Sequence, residues 1–248
     1  VPEIFACPGN GGIAADATCV AIGATEIEKI VEFAVANAID YAVVAPDDPL
    51  VLGCVDALEA KGIPCFGPRA NAAIIEASKA FSKQLMEKYN IPTATYEVFT
   101  DEAKALSYLE TAPIPTVIKA DGLALGKGVI IAQSFEEAEA AVKEIMCDKV
   151  FGASGSRILV EEFLTGPEVS VLSFTDGETV VPMISSMDHK RAKDGDEGLN
   201  TGGMGTIAPN PYYTEEIAKK VIEQAISYVK CPYDTEVNIL ITDNEEIR

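Results

Sequence analysis

Residues 116–129 read Thr-Val-Ile-Lys-Ala-Asp-Gly-Leu-Ala-Leu-Gly-Lys-Gly-Val: an apolar run delivers Lys119, then Gly122, Gly126 and Gly128 surround Lys127. A second apolar run follows at Val129–Ala132. Strand, glycine-rich loop and strand in that order can fold a lid over an anionic phosphate chain. Glycine permits the close approach and positive φ that such a loop needs. Its amides and the two lysines supply charge-assisted donors. The loop is not a Walker sequence, because no Ser or Thr follows Lys127 and the glycine spacing differs. Val117 and Lys119 share a strand face by the two-residue period, so the lysine ends an apolar stripe. It is either a rim residue or a half-buried lysine aimed at phosphate.

Three further segments carry suitable groups. Glu161-Glu162-Phe163-Leu164 closes an apolar run that begins at Ile158. Such a run ends either in a solvated terminus or in a hinge whose backbone reads the edge of adenine, with Glu168 downstream for ribose hydroxyls. A carboxylate suits hydroxyls because, when ionised, it only accepts. Asp188-His189-Lys190-Arg191 is the densest basic patch of an acidic chain, and Asn200-Thr201-Gly202-Gly203-Met204-Gly205 follows it. The patch is either a solvated loop or, with those glycines beside it, part of a ligand site. The single histidine, His189, receives no acid–base role.

These segments require a scaffold, and the first part of the chain alternates strand and helix. Strands are expected at 4–7 and 18–22 around a turn at 8–12, and again at 40–45 and 63–66. Thr25 with Glu28 reads as a capping box opening a helix with Ile27, Ile30, Val31 and Ala34 on one face. A second helix is expected at 50–61. This alternation implies a parallel sheet with ligands at the carboxyl ends of its strands, where residues 8–12 and 46–49 lie. A long helix is expected over 71–89, with Ser78 and Lys79 near its middle. Beyond it, strands at 115–120, 129–132, 157–164 and 169–175 and one helix at Phe135–Met146, opened by Ser134 and Glu137, imply a small antiparallel α+β module. Asp176-Gly177 reads as a two-residue hairpin turn, and 185–205 as a long polar, glycine-rich loop.

At 248 residues the chain can form one or two domains with a large core. A net charge of −20 argues against nucleic acid as a partner, since most of the surface would repel its backbone. No 18-residue apolar run or secretory signal is visible, so the expectation is a cytoplasmic protein without a membrane partner. Six cysteines without C-x-x-C spacing fit reduced thiols better than a zinc site.

Read in order, these segments resemble the ATP-grasp ligases and, within them, the phosphoribosylamine–glycine ligase family. The matching pieces are Pro8-Gly9-Asn10-Gly11-Gly12-Ile13, Pro46-Asp47-Asp48-Pro49-Leu50, Ser78-Lys79-Ala80-Phe81, the 119–128 loop, 161–164, Phe174-Thr175-Asp176-Gly177, and 188–191 with 200–205. The resemblance implies a Rossmann-like parallel-sheet domain over 1–77, then an ATP-grasp domain over 78–248 containing a small lid at about 97–168. It implies ligation of glycine to 5-phosphoribosylamine, with ATP and Mg2+ (or Mn2+), through a glycyl phosphate. It also assigns Lys79, Lys119, Gly126, Lys127 and Gly128 to phosphates, 161–164 to adenine and Glu168 to ribose. Asp188, Lys190, Arg191, Asn200, Thr201 and Gly202 fall to the substrates, with Gly9, Asn10 and Asp47 from the first domain; Lys119 and Arg191 are the catalytic pair. A sibling ATP-grasp ligase and a non-catalytic nucleotide-binding module are the alternatives.

The chain departs from the family pattern in three places. It opens at what resembles the family's second strand, without the Gly-Gly-Arg-Glu-His loop. Ala45-Pro46-Asp47 stands where the family carries Gly-Pro-Glu. The metal-binding Glu-x-Asn-Ala-Arg-Phe-Gly-Asp-Pro-Glu segment is not seen after Tyr213, and Glu236-Val237-Asn238 matches its start by chance, so the metal ligands are unassigned.

Overall fold

The computed structural model describes residues 3–122, 128–175, 179–195, 197–220 and 239–240. The chain divides into two compact units, Val1–Ser78 and Lys79–Arg248. Among the described residues no helix is long and apolar enough to cross a membrane.

The first unit is built from short parallel pairings. Strands β1 (Phe5–Ala6) and β2 (Thr18–Cys19) pair in parallel, as do β3 (Ala42–Val43) and β4 (Cys65–Phe66). Each ladder is shorter than expected; Pro64 has no amide to donate, and Pro46 cuts short the run after β3. Helix α1 (Ile27–Ala36) begins without the Thr25–Glu28 box. Its N-cap is Glu26, whose carboxylate instead accepts from the Gly23 amide at 2.7 Å. The helix expected at 50–61 starts earlier and is two pieces, α2 (Asp47–Val51) and α3 (Cys54–Glu59). Gly53 separates them at φ 80°, a left-handed conformation that cannot continue a helix. Helix α4 (Ala70–Ala77) completes the unit. Val31, Ala34, Val44, Leu50, Val55 and Leu58 form its core.

The second unit opens with α5 (Lys79–Lys88). The helix expected over 71–89 is thus broken at Ser78, which is extended at φ −135° and ψ 108°. The amide of Ala80 finds an acceptor outside the helix, in the Asp121 carboxylate at 3.1 Å. Strand β5 (Tyr96–Phe99) and helix α6 (Glu102–Leu109) come next. They are followed by β6 (Thr116–Ala120), β7 (Val129–Ala132), α7 (Phe135–Met146) and β8 (Ile158–Glu162). The four strands make one antiparallel sheet in the order β5-β8-β6-β7. The α7 boundaries match the sequence reading. Ser134 Oγ accepts from the Glu137 amide at 3.2 Å, while the Glu137 carboxylate reaches the Gln133 amide at 2.7 Å.

One face of this sheet packs on α6 and α7. Ile118, Ala120, Ile158 and Val160 meet Ala105 and Leu109 of α6 and Ala138, Val142 and Ile145 of α7 in a single core cluster. By alternation the other face presents Val117 and Lys119 of β6 and Leu159 and Glu161 of β8.

The rest of the unit is a series of short antiparallel ribbons. The strand expected at 169–175 is two, β9 (Ser170–Val171) and β10 (Ser173–Thr175). β10 pairs with β11 (Val180–Pro182), and β9 with β16 (Ile239–Leu240). Asp176 and Gly177, the expected hairpin turn, lie outside the described residues. Residues 185–205 are not a loop but a ribbon. β12 (Met187–Asp188) pairs with β15 (Thr206–Ile207), and β13 (Arg191–Lys193) with β14 (Glu197–Asn200). Backbone pairing, without an apolar alternation to announce it, makes these strands.

Candidate functional site

Two clusters of candidate side chains lie in the second unit. The first sits on the sheet face opposite the helices. In the β6–β8 register Val117 faces Glu161 and Lys119 faces Leu159, so Lys119 and Glu161 are diagonal neighbours on one face. Lys119 Nζ lies 2.8 Å from Glu161 Oε2. The same oxygen receives Lys83 Nζ from α5 at 3.1 Å. Glu161 is 4% exposed and Lys119 27%. Glu161 Oε1 is buried and has no hydrogen-bond partner among the described residues. A buried carboxylate oxygen left without a donor is costly, so this atom is a natural acceptor for a donor on a ligand. Glu162 points elsewhere and accepts from the Thr95 amide at 3.2 Å and the Thr95 hydroxyl at 2.9 Å. Phe163 and Leu164 follow beyond the end of β8.

The root of the glycine-rich segment is tied to α5. Lys79 Nζ donates to the Gly122 carbonyl at 2.8 Å. Asp121 accepts from the Ala80 amide and is ion-paired with Arg157. Gly122 has φ 121°, and a Cβ there would meet Ser154 Oγ at 2.7 Å, so only glycine fits. On the far side, the Gly128 carbonyl accepts from the Ala120 amide at 2.8 Å. Gly126 and Lys127 lie outside the described residues.

The second cluster gathers Glu168, Asp188 and Lys190. Lys190 Nζ lies 2.8 Å from Glu168 Oε1 and 3.5 Å from Asp188 Oδ2. Partial burial pulls the Lys190 pKa down, but the two carboxylates outweigh it and the net shift is upward. The Thr201 hydroxyl and amide both donate to the Lys190 carbonyl, at 2.9 and 2.6 Å. This locks the 200–205 segment beside 188–191. A cleft of about 480 Å³ opens here, lined by Ser170, Leu172, Ser186, Asp188 and residues 202–206. Arg191 Nη1 donates to the Gly198 carbonyl at 2.8 Å within its own ribbon. Asn200 is the backbone partner of Arg191.

The three sequence-selected residues of the first unit belong to that unit's loops. Asn10 Oδ1 accepts from the Gly12 and Ile13 amides, each at 3.0 Å, and so shapes its own turn. Gly9 has φ 73°, and an added Cβ would clash with Cys19 Sγ. Asp47 is exposed in the first turn of α2.

Sequence reasoning missed three residues. Lys83 lies one turn after Lys79, and that i,i+4 spacing on one helix face was its signal. Asp121 sits inside the motif but reads as a loop acid. Asn210, between two prolines, is 3% exposed. It donates to the Glu168 and Ser186 carbonyls at 2.8 and 3.1 Å, fixing the stretch that presents Glu168. Among the described residues no group of three or more His, Cys, Asp or Glu side chains could hold a metal ion.

Residues 77–231 match the family model described as phosphoribosylglycinamide synthetase, ATP-grasp (A) domain, and residues 1–76 match its N domain. A phosphoribosylamine–glycine ligase of Pasteurella multocida is 50% identical over 226 residues, covering 90% of this chain and 53% of the relative. One from Escherichia coli O6:H1 is 48% identical over 228 residues, with 91% and 53% covered. The chain spans about half the length of the curated relatives it matches. The crystal structure of phosphoribosylamine–glycine ligase from Thermotoga maritima is similar with a TM-score of 0.79 at 29% identity, covering 97% of this chain and 60% of that one. The biotin carboxylase domain of 2-oxoglutarate carboxylase from Hydrogenobacter thermophilus, solved with MgADP, has a TM-score of 0.76 at 16% identity, with 98% and 58% covered. At that identity the likeness is one of fold alone. The expected architecture, an α/β N-terminal domain followed by an ATP-grasp domain, is borne out.

Proposed function

The chain belongs to the phosphoribosylglycinamide synthetase family, and we propose that it serves the ATP-driven ligation of glycine to 5-phosphoribosylamine. In that reaction the glycine carboxylate attacks the γ-phosphorus of ATP, giving glycyl phosphate and ADP. The amine of phosphoribosylamine then attacks the acyl carbon, loses a proton and displaces phosphate, leaving glycinamide ribonucleotide. Both nucleophiles come from the substrates. The protein's task is therefore to bring an anionic carboxylate to an anionic triphosphate and hold the geometry.

The observation that most supports this reading is Lys119, a half-buried ammonium on an otherwise buried strand, beside a carboxylate with a buried, unpartnered oxygen. In the proposed arrangement Lys119 turns to the phosphates, and Gly126, Lys127 and Gly128 are assigned to the same phosphates. Lys79 acts at the root of that segment, through the Gly122 carbonyl. Glu161 to Leu164 clasp adenine, with Glu161 Oε1 available to an amino donor, and Glu168 meets the ribose. Asp188, Lys190, Arg191, Asn200, Thr201 and Gly202 bind glycine and the ribosyl phosphate. A magnesium (or manganese) ion bound with ATP would neutralise phosphate charge, and the described residues form no cluster of three or more His, Cys, Asp or Glu that would hold it by protein ligands alone.

ADP release tests the reading. It should require glycine and phosphoribosylamine together, and fall when either is omitted. ADP release that ignores phosphoribosylamine but responds to another amine would refute the substrate assignment.

A further inference from the structure

Lys83 has no part in the arrangement proposed above, yet it is 6% exposed and charged. Besides its 3.1 Å approach to Glu161 Oε2, its ammonium donates to Thr93 Oγ1 at 2.8 Å and the Ala94 carbonyl at 3.0 Å. It also lies 5.4 Å from the centre of the Tyr96 ring. An ammonium has three donors, so Lys83 is fully committed to the protein. Lys119 shares the same carboxylate oxygen but is 27% exposed, against 7% for the Lys83 side chain.

A carboxylate as buried as Glu161 cannot readily release its only cation, because an uncompensated buried charge is heavily penalised. With two ammoniums on one oxygen, one of them can leave. We propose that Lys83 is a positioning residue: it keeps the Glu161 carboxylate neutralised so that Lys119 can turn away to the phosphates of a ligand. This rests on the reading that this sheet face receives a nucleotide. The committed cation is the buried one, and the transferable cation is the exposed one. Burial lowers the Lys83 pKa, and the adjacent Glu161 carboxylate works against that shift. Lys83 and Glu161 thus form a neutral unit, and Lys119 carries the surplus charge.

A binding cycle tests the role. ATP is titrated by calorimetry into the unsubstituted chain, Lys83→Met, Glu161→Gln and the double variant, with tripolyphosphate in parallel and thermal melts as a fold control. Lys83→Met should weaken ATP at least about tenfold when Glu161 is present, because Lys119 is then held as the only counter-charge. In the Glu161→Gln background the same substitution should change affinity by less than about threefold, since no carboxylate retains Lys119. Lys83→Arg should restore most of the loss. If Lys83→Met does not fold, Lys83→Gln against Lys83→Arg carries the same contrast. Equal losses in both backgrounds, or no loss in either, would overturn the proposal, because a packing role or long-range charge acts alike in both. Binding of tripolyphosphate but not ATP by the unsubstituted chain would sink the nucleotide reading alone. The cycle run with tripolyphosphate then still decides the role of Lys83. Binding of neither probe would end both.

Discussion

Removing the Asp121 carboxylate should cost far more than its position in a glycine-rich loop would indicate. Asp121 is 7% exposed; it caps α5 through the Ala80 amide at 3.1 Å and pairs with Arg157. Asp121→Ala loses the cap and so leaves the amide of Ala80, itself 1% exposed, without its acceptor, at a cost of about 2 kcal/mol. The Arg157 side chain is 44% exposed and can turn to water, so that ion pair contributes less than about 1 kcal/mol. The total is about 2–3 kcal/mol. Asp121→Asn keeps an acceptor for Ala80 and loses only the charge, about 1 kcal/mol. At roughly 2–4 °C per kcal/mol for a unit of this size, Ala should lower the melting temperature of the second unit by about 5–10 °C and Asn by about 2–4 °C. Circular dichroism melts of the two variants beside the parent measure this directly. An Asp121→Ala protein melting within 1 °C of the parent would refute the anchor. Asn proving as damaging as Ala would show that the ion pair, and not the cap, holds the loop root.

Arg191→Lys keeps the charge but removes the planar fork that suits a phosphate, and here also the donor to Gly198. In the proposed reaction it should raise KM for phosphoribosylamine about tenfold or more while leaving KM for ATP within about twofold; steady-state kinetics with each substrate varied would show the reverse if the ribbon serves the nucleotide. Lys190 has a raised folded-state pKa, so its contribution to stability is fully present below the ordinary lysine value of 10.5 and is lost as pH rises through the higher folded value. Denaturant unfolding between about pH 9 and 12 should therefore show the parent losing up to about 1 kcal/mol more than Lys190→Met, and parallel curves would contradict the Glu168–Lys190–Asp188 cluster.

Where local chemistry decided an element, the sequence was enough to read it. Helix α7 appears from Phe135 to Met146 because Ser134 and Glu137 start it and an apolar stripe buries it. β6 and β7 are apolar runs bracketing glycines. Helix α6 has a local start too, Asp101 accepting from the Lys104 amide at 3.0 Å, but its run is too short and weakly patterned to be read as a helix from the sequence. The breaks were not legible. Ser78 interrupts a continuous helical pattern because Asp121, 43 residues later in the chain, supplies an external cap. The 187–207 ribbon pairs through its backbone, which leaves no periodicity to read. The same division holds for the candidate site. Lys119 and Glu161 announce themselves as charges in apolar strands, whereas Lys83 becomes a partner only when α5 folds against the face carrying Glu161.

A chain of net charge −20 has to solve a particular problem if it is to hold a polyphosphate. An open basic patch would suit the ligand, but unpaired ammoniums crowded together repel one another when it is gone. In each cluster found here a lysine is held by an internal carboxylate instead: Lys119 by Glu161, and Lys190 by Glu168 and Asp188. Such pairing neutralises the empty site, and its cost is that an anion must compete with a carboxylate for the cation. That competition is tolerable only where the carboxylate is not left bare. At Glu161 the second ammonium, Lys83, prevents it. At Glu168, 32% exposed, water can do so. The degree of burial of the carboxylate therefore decides whether a second lysine is needed, and the two clusters fall on opposite sides of that division.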